Sequence, residues 1–142
     1  MNIQDPKVSA RTGSIDMAHG GGGRATAELI TDLFQHHLNN PILDQGNDAA
    51  LLPPAAGRLV MSTDGHVISP IFFPGGDIGS LAVHGTLNDV AMAGAKPLYL
   101  TAGFILEEGF PLADLEQIVI SMARAAEAAG VPIVTGIVGA TV

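Results

Sequence analysis

Apolar residues recur at helical spacing from Arg24 to about Leu38, placing Leu29, Ile30, Leu33, Phe34 and His37 on one face. Asn39, Asn40 and Pro41 end that helix. Asp48–Leu52 and Arg58–Thr63 are short apolar runs parted by Pro53, Pro54 and Gly57, a pattern that predicts neighbouring strands. Gly75–Gly94 reads as a second helix, with Asp77 placed to cap its first N–H groups and Gly94 suited to a left-handed C-terminal turn. Leu81, Ala82, Gly85, Asp89 and Met92 fall near one face of it, which sets an acid beside an apolar stripe. Leu98–Leu106 has the length and apolar content of a central strand, broken by Gly109 and Pro111. The clearest helix follows: Leu115, Ile118, Val119, Met122 and Ala126 form its stripe, and Gly130 and Pro132 end it. Val131–Thr135 is then a last buried strand. The order helix, strand, strand, helix, strand, helix, strand predicts an α+β fold in which helices pack on one face of a mixed sheet.

Residues 1–23 show no such period and finish in the run His19, Gly20, Gly21, Gly22, Gly23. A backbone of that composition is poorly restrained unless something binds it, so a flexible glycine-rich arm is expected over 1–23 and a folded domain over 24–142.

Composition narrows the partners. The formal net charge is -8 with six Lys and Arg, so the basic footprint that nucleic acid requires is lacking. Hydrophobic residues make up 47% of the chain and mean hydropathy is +0.37, yet no apolar run approaches the roughly 20 residues of a membrane-spanning helix. Neither nucleic acid nor membrane is expected as a partner. The apolar surplus instead predicts burial against a second domain or subunit. The N-terminal residues lack the apolar core of a secretory signal, which makes the cytoplasm the default compartment. With no cysteine there is neither a disulfide framework nor a thiol nucleophile.

Candidate chemistry lies in three acids set in charge-poor segments: Asp48 in NDAALL, Asp64 in STDGHVISP and Asp89 in NDVAMAGAKP. Taken singly, each is as well explained by a turn, a strand end or a cap. Together they favour a divalent cation of the Mg²⁺ type, which takes hard oxygen ligands and accompanies polyphosphate. Asn88 offers a neutral oxygen or a hydrogen bond beside them. The glycine run precedes a helix, where backbone N–H groups can meet phosphate oxygens, but it lacks the ending of a Walker A loop and serves equally as a hinge. Arg24 could meet an anion or simply begin a solvated helix. His66 and His84 read as structural histidines, His36 and His37 point apart and make a poor metal pair, and Glu107 and Glu108 are expected to face solvent.

The segment STDGHVISPIFFPGGDIGSLAVHGTLNDVAMAGAKPLYLTAGFILEEGFP, together with HGGGG before it, NDAALL and AAGVPIVTG, closely resembles the HypE family of hydrogenase maturation factors over residues 19–136. More broadly, the chain resembles the N-terminal domain of the aminoimidazole ribonucleotide synthetase superfamily. That resemblance implies a four-stranded sheet that pairs with its twin in a homodimer, with ATP at the rim. It carries metal and phosphate roles onto Asp48, Asp64 and Asp89, with Asn88 beside them, and a phosphate-covering role onto Gly20, Gly21, Gly22 and Gly23. No catalytic base is assigned.

The implied activity is ATP-dependent dehydration of a protein thiocarbamate to a thiocyanate, which supplies cyanide to the metal centre of nickel–iron hydrogenase. Attaching a phosphoryl group turns a poor amide oxygen into a leaving group, and its departure leaves the carbon–nitrogen triple bond. A carbamoyl-transferring maturation factor and scaffold proteins that receive the cyanide are the implied partners. After Thr135 and Gly136 the family continues with a further acidic motif, a second domain and a terminal cysteine, none of which occurs in these 142 residues. The 142 residues alone are therefore expected to be inactive. Two other readings stay open, a non-catalytic dimerisation and partner-docking fragment of the same fold and a small-molecule kinase of the same superfamily.

Overall fold

The computed structural model describes residues 12–142. Helix α1 (Arg24–Leu29) passes through a π-helical stretch, Ile30–Gln35, into α2 (His36–Leu38) without leaving helical dihedrals. Leu29, Leu33 and Phe34 are buried on one side, as their spacing requires. At Asn39 the backbone turns extended, and the Asn40 side chain secures the exit. Its Nδ2 donates to the carbonyls of Leu38 and Ile133, and its Oδ1 accepts from the N–H groups of Ile42 and Leu43.

A tight hairpin follows further along, made by β1 (Phe72–Phe73) and β2 (Gly76–Asp77), with Gly75 at φ +94 in its turn. Asp77 then caps α3 (Ile78–Met92), accepting from the N–H groups of Gly79 and Ser80. Gly94, at φ +73, closes α3 with the bond from Ala95 N–H back to the Val90 carbonyl. The rest is a β–α–β unit: β3 (Leu100–Glu107), α4 (Leu112–Ala129) and β4 (Ile133–Thr141), with β3 and β4 parallel and α4 crossing between them. Val134 is the extra residue of a bulge near the start of this pair, where Leu100 faces Ile133 and Thr101 faces Thr135.

Helix α4 organises the core. Leu115 and Val119 meet Ile15, Leu33, Phe34 and Leu106, while Met122 and Ala126 meet Val83 and Ile133. Leu115, Ile118, Val119, Met122 and Ala126 are all buried, and each large side chain so enclosed contributes about 1.5–3 kcal/mol of transfer free energy. No helix among the described residues is long and apolar enough to cross a membrane.

Several expectations are corrected. The α+β class stands, but the four strands among the described residues form two separate two-stranded sheets, β1 with β2 and β3 with β4. Among the described residues the segments 48–52 and 58–63 have no ladder partner, and Leu51, Leu59 and Met61 are 78%, 77% and 93% exposed. Their apolar pattern suits a strand, yet the described chain supplies no edge that pairs with them. The second helix begins at Ile78 rather than Gly75, because the hairpin takes the residues before it. Its predicted stripe is also displaced: Gly79 and Val83 are buried, whereas Asp89 is exposed and Leu81 and Met92 are 36% and 79% exposed. Strand β4 runs to Thr141 instead of stopping at Thr135, since Gly136 lets the backbone come against the Ala102 carbonyl.

The described part of the predicted arm, 12–23, is largely exposed but anchored at Ile15. Ile15 is 1% exposed and exchanges backbone hydrogen bonds with Phe110 and Gly109, and a short 3-10 turn at Met17–Gly20 lies on β4. One apolar residue that finds the α4 end of the core is enough to anchor a stretch with no period of its own. Residues 1–11 of the expected arm lie outside the described residues.

Candidate functional site

The face of α3 that carries Asn88 and Asp89 also carries Gly85, one turn earlier. An extended segment lies across this face. Ser62 Oγ donates to Asp89 Oδ2 at 3.3 Å, and His66 comes against Gly85 so closely that a side-chain carbon there would stand 2.7 Å from the imidazole Nε2. Between these two points, Asp64 Oδ1 accepts from the Gly65 N–H at 2.8 Å and Oδ2 lies 3.3 Å from His66 Nε2. The same Oδ2 would be 3.8 Å from a side-chain carbon at position 85. Asp64 and Asp89 are thus brought to one side of α3, with Asn88 and Asp89 open to solvent and the Asp64 side chain 37% exposed. A cavity of about 450 Å³ opens beside Asp64, bounded also by His66 and Ile68, by Ala82 of α3 and by Phe104 of β3, while Asn88 and Asp89 do not line it.

Asp48 is not gathered with the other two. It is exposed in the unpaired stretch after Gly46, and among the described residues no three His, Cys, Asp or Glu side chains lie close enough to hold a metal ion. The physical reason is that nothing in the described chain draws residues 47–52 onto α3, whereas Ser62 and His66 hold the later residues there. What is present still suits a hard cation and phosphate in part, since Asp64 and Asp89 offer exposed carboxylate oxygens on one face and Asn88 an amide beside them.

The glycine run sits on a different element. Gly20 packs against Ala140 of β4, where any side-chain carbon would overlap the Ala140 backbone nitrogen, so this glycine has a packing reason of its own. Gly21 N–H donates to the Ala18 carbonyl and Gly22 N–H to Thr26 Oγ1. Gly22 adopts φ +73, and Gly23 is the N-cap of α1 with no side-chain capping bond. Arg24 is already engaged: its Nε bonds Glu28 Oε1 at 2.6 Å, and that hydrogen bond, then charge attraction, raises the guanidinium pKa above its ordinary value. No hydrogen bond or ion pair joins the glycine run to Asp48, Asp64, Asn88 or Asp89 among the described residues.

Elsewhere the histidines divide as their surroundings dictate. His37 Nε2 lies 3.0 Å from Glu116 Oε1, with both side chains nearly enclosed between α2 and α4. His36 presents its ring to His37 edge-on, and His84 is exposed. Ser62, His66 and Gly85 are the site residues that sequence reasoning did not place at the site; the one available signal was a glycine in the middle of a helix.

Residues 46–140 match the family described as AIR synthase related protein, N-terminal domain. The chain is 67% identical over 130 residues to the carbamoyl dehydratase HypE of Azotobacter vinelandii, covering 92% of this chain and 38% of that protein. To the carbamoyl dehydratase HypE of Escherichia coli K12 it is 52% identical over 128 residues, covering 87% of this chain and again 38% of the relative. A crystal structure of the hydrogenase maturation protein HypE in complex with ATP superposes with a TM-score of 0.85 at 58% identity, over 88% of this chain and 37% of that one. A HypE–HypF complex matches with a TM-score of 0.59 at 52% identity, over 80% and 36%. The chain therefore spans about 38% of the length of the relatives it matches. By these matches, the chain belongs to the AIR synthase related protein family, N-terminal domain.

Proposed function

We propose that the chain is the ATP-binding, dimer-forming N-terminal portion of a carbamoyl dehydratase, the enzyme that converts a protein thiocarbamate to a thiocyanate for the cyanide ligands of nickel–iron hydrogenase. The observation that carries the nucleotide assignment is its likeness, at 58% identity, to a HypE structure holding ATP. Asp64, on the segment that crosses α3, and Asp89, on α3 itself, are the oxygen donors for Mg²⁺, and Asn88 contacts the phosphates. Asp48 joins them once residues 47–52 are drawn in, whether by nucleotide or by a second copy of the chain. Gly22 and Gly23, with the uncapped start of α1, offer backbone N–H groups to phosphate; Gly20 and Gly21 shape the loop. Bound Mg²⁺ supplies charge neutralisation on the phosphates during phosphoryl transfer. This chain's own part is to bind and orient the nucleotide. The thiol that carries the substrate is not among these residues, which hold no cysteine.

The partners that follow from this reading are a second copy of the chain, a carbamoyl-transferring maturation factor and the scaffold proteins that accept cyanide, in the cytoplasm. The HypE–HypF complex among the similar structures supports a protein partner of that kind. Isothermal titration with ATP tests the assignment: Mg²⁺-dependent binding, abolished by EDTA and by Asp64→Asn, is expected. Binding indifferent to Asp64→Asn would remove the metal role. A dimer by light scattering with no binding at millimolar ATP would favour a docking fragment instead.

A further inference from the structure

We propose that His66 is a positioning residue for the nucleotide site: seated in the notch that Gly85 leaves in α3, its imidazole holds the Asp64 carboxylate over the face that carries Asn88 and Asp89. The proposal rests on the reading of Asp64 as a Mg·ATP ligand given above.

Glycine inside a helix is unfavourable relative to alanine, so its presence at position 85 calls for a use. Freedom of the backbone is not that use, because Gly85 is absent from the positive-φ glycines and lies within regular α-helix. Room is. The three nearest atoms to a side-chain carbon at 85 would be His66 Nε2 at 2.7 Å, His66 Cε1 at 3.5 Å and Asp64 Oδ2 at 3.8 Å. The imidazole is thus lodged where a methyl group would be, with its side chain only 16% exposed.

From that seat Nε2 faces Asp64 Oδ2 at 3.3 Å. At that separation the imidazole edge lies against one carboxylate oxygen, while the Gly65 N–H donates to the other. Each oxygen of Asp64 therefore has a close neighbour that limits where it can turn, on a segment that also touches α3 through the Ser62 to Asp89 bond. Partners of this sort, which orient a ligating carboxylate without touching the ion, govern how well it binds metal.

The test compares wild type, His66→Ala, Gly85→Ala, the double variant and Asp64→Asn, using the full chain. ATP is titrated calorimetrically with Mg²⁺ and, separately, with EDTA. His66→Ala and Gly85→Ala are each expected to weaken Mg²⁺-dependent ATP binding about tenfold, the scale set by loss of such orienting partners, with metal-free ATP binding unmoved. Gly85→Ala should add nothing to His66→Ala, because both remove one contact. Its thermal midpoint should stay at or above wild type, since alanine favours the helix and what it displaces is the end of a side chain. His66→Gln, whose amide can also face Asp64, should restore part of the loss. Wild-type affinity in His66→Ala and Gly85→Ala, with Asp64→Asn losing binding, overturns the positioning role and leaves the metal reading standing. Equal loss with and without Mg²⁺ makes His66 a structural residue and overturns the proposal as well. Wild-type binding by Asp64→Asn, or no binding by the wild type, removes the metal reading and this inference with it.

Discussion

Gly79 of α3 rests against the backbone carbonyl of Ile118 in α4, so closely that a side-chain carbon at 79 would overlap that oxygen. It would also stand 3.1 Å from Asp77 Oδ1, the atom that caps α3. Two helices can approach at this point because one of them presents no side chain there. A carbonyl in the middle of α4 cannot swing aside as a side-chain tip can. Gly79→Ala is therefore expected to destabilise the fold by about 1–3 kcal/mol, despite the better helix propensity of alanine. Urea unfolding followed by circular dichroism reads it; an unchanged or raised midpoint would mean that α3 and α4 do not cross at this contact.

Asp77 is 6% exposed, and its Oδ1 accepts from Gly79 N–H at 2.8 Å and Ser80 N–H at 3.1 Å, while Ser80 Oγ returns a contact to the Asp77 N–H. This is a reciprocal cap. Replacing Asp77 with alanine strands those donors in a buried place, and a loss of about 1–2 kcal/mol is expected. Asp77→Asn keeps an oxygen at the same position and should retain most of the stability. Parallel melts of the two variants decide it, and equal losses would show that the charge rather than the cap matters.

The legible parts of this fold are those where polar and apolar positions segregate. On α4 the polar Asp114, Gln117 and Arg124 alternate with a clean stripe, and that stripe is the buried one. Helix α3 is apolar around most of its circumference, so the sequence offered no phase, and the predicted stripe fell on Leu81 and Met92, which are exposed. The β1–β2 hairpin has two residues per strand, too few for an alternation to register. Ile15 anchors its segment alone, without any period to announce it. At the candidate site the acids were visible from their motifs, but Ser62, His66 and Gly85 were not. Their meeting depends on how an irregular segment crosses α3, a long-range approach that no local pattern encodes.

Asn40 joins four backbone groups: it donates to the carbonyls of Leu38 and Ile133, at 3.0 and 2.8 Å, and accepts from the N–H groups of Ile42 and Leu43. The bond to Ile133 ties the end of α2 to the start of β4. Asn40→Asp changes almost nothing in shape but sets a carboxylate oxygen against two carbonyl oxygens. Its expected cost is about 1–3 kcal/mol at neutral pH, the penalty of opposing acceptors in a half-buried place. Asn40→Ser, which keeps an acceptor for Ile42 and Leu43 but loses the reach to Ile133, should fall between it and wild type. Chemical denaturation of the three proteins gives the order, and a wild-type midpoint for Asn40→Asp would refute the tie.

Leu59 and Met61, two residues apart in a stretch with no ladder partner among the described residues, are 77% and 93% exposed. Val67 at 101% and Ile105 of β3 at 84% add further uncovered apolar surface. Such surface on a chain carrying 47% hydrophobic residues calls for a cover, and the proposed cover is a second copy pairing its own unladdered segment with this one. Light scattering is then expected to return twice the 14.5 kDa chain mass. Placing lysine at both positions, Leu59→Lys with Met61→Lys, should shift the protein to the single-chain mass while its helical circular dichroism persists, because neither side chain belongs to the buried core. The same variant should bind Mg·ATP more weakly if dimerisation is what draws Asp48 toward Asp64 and Asp89. A wild-type protein that scatters as one chain at all concentrations would leave this surface without its proposed cover, and Asp48 without a route to the site.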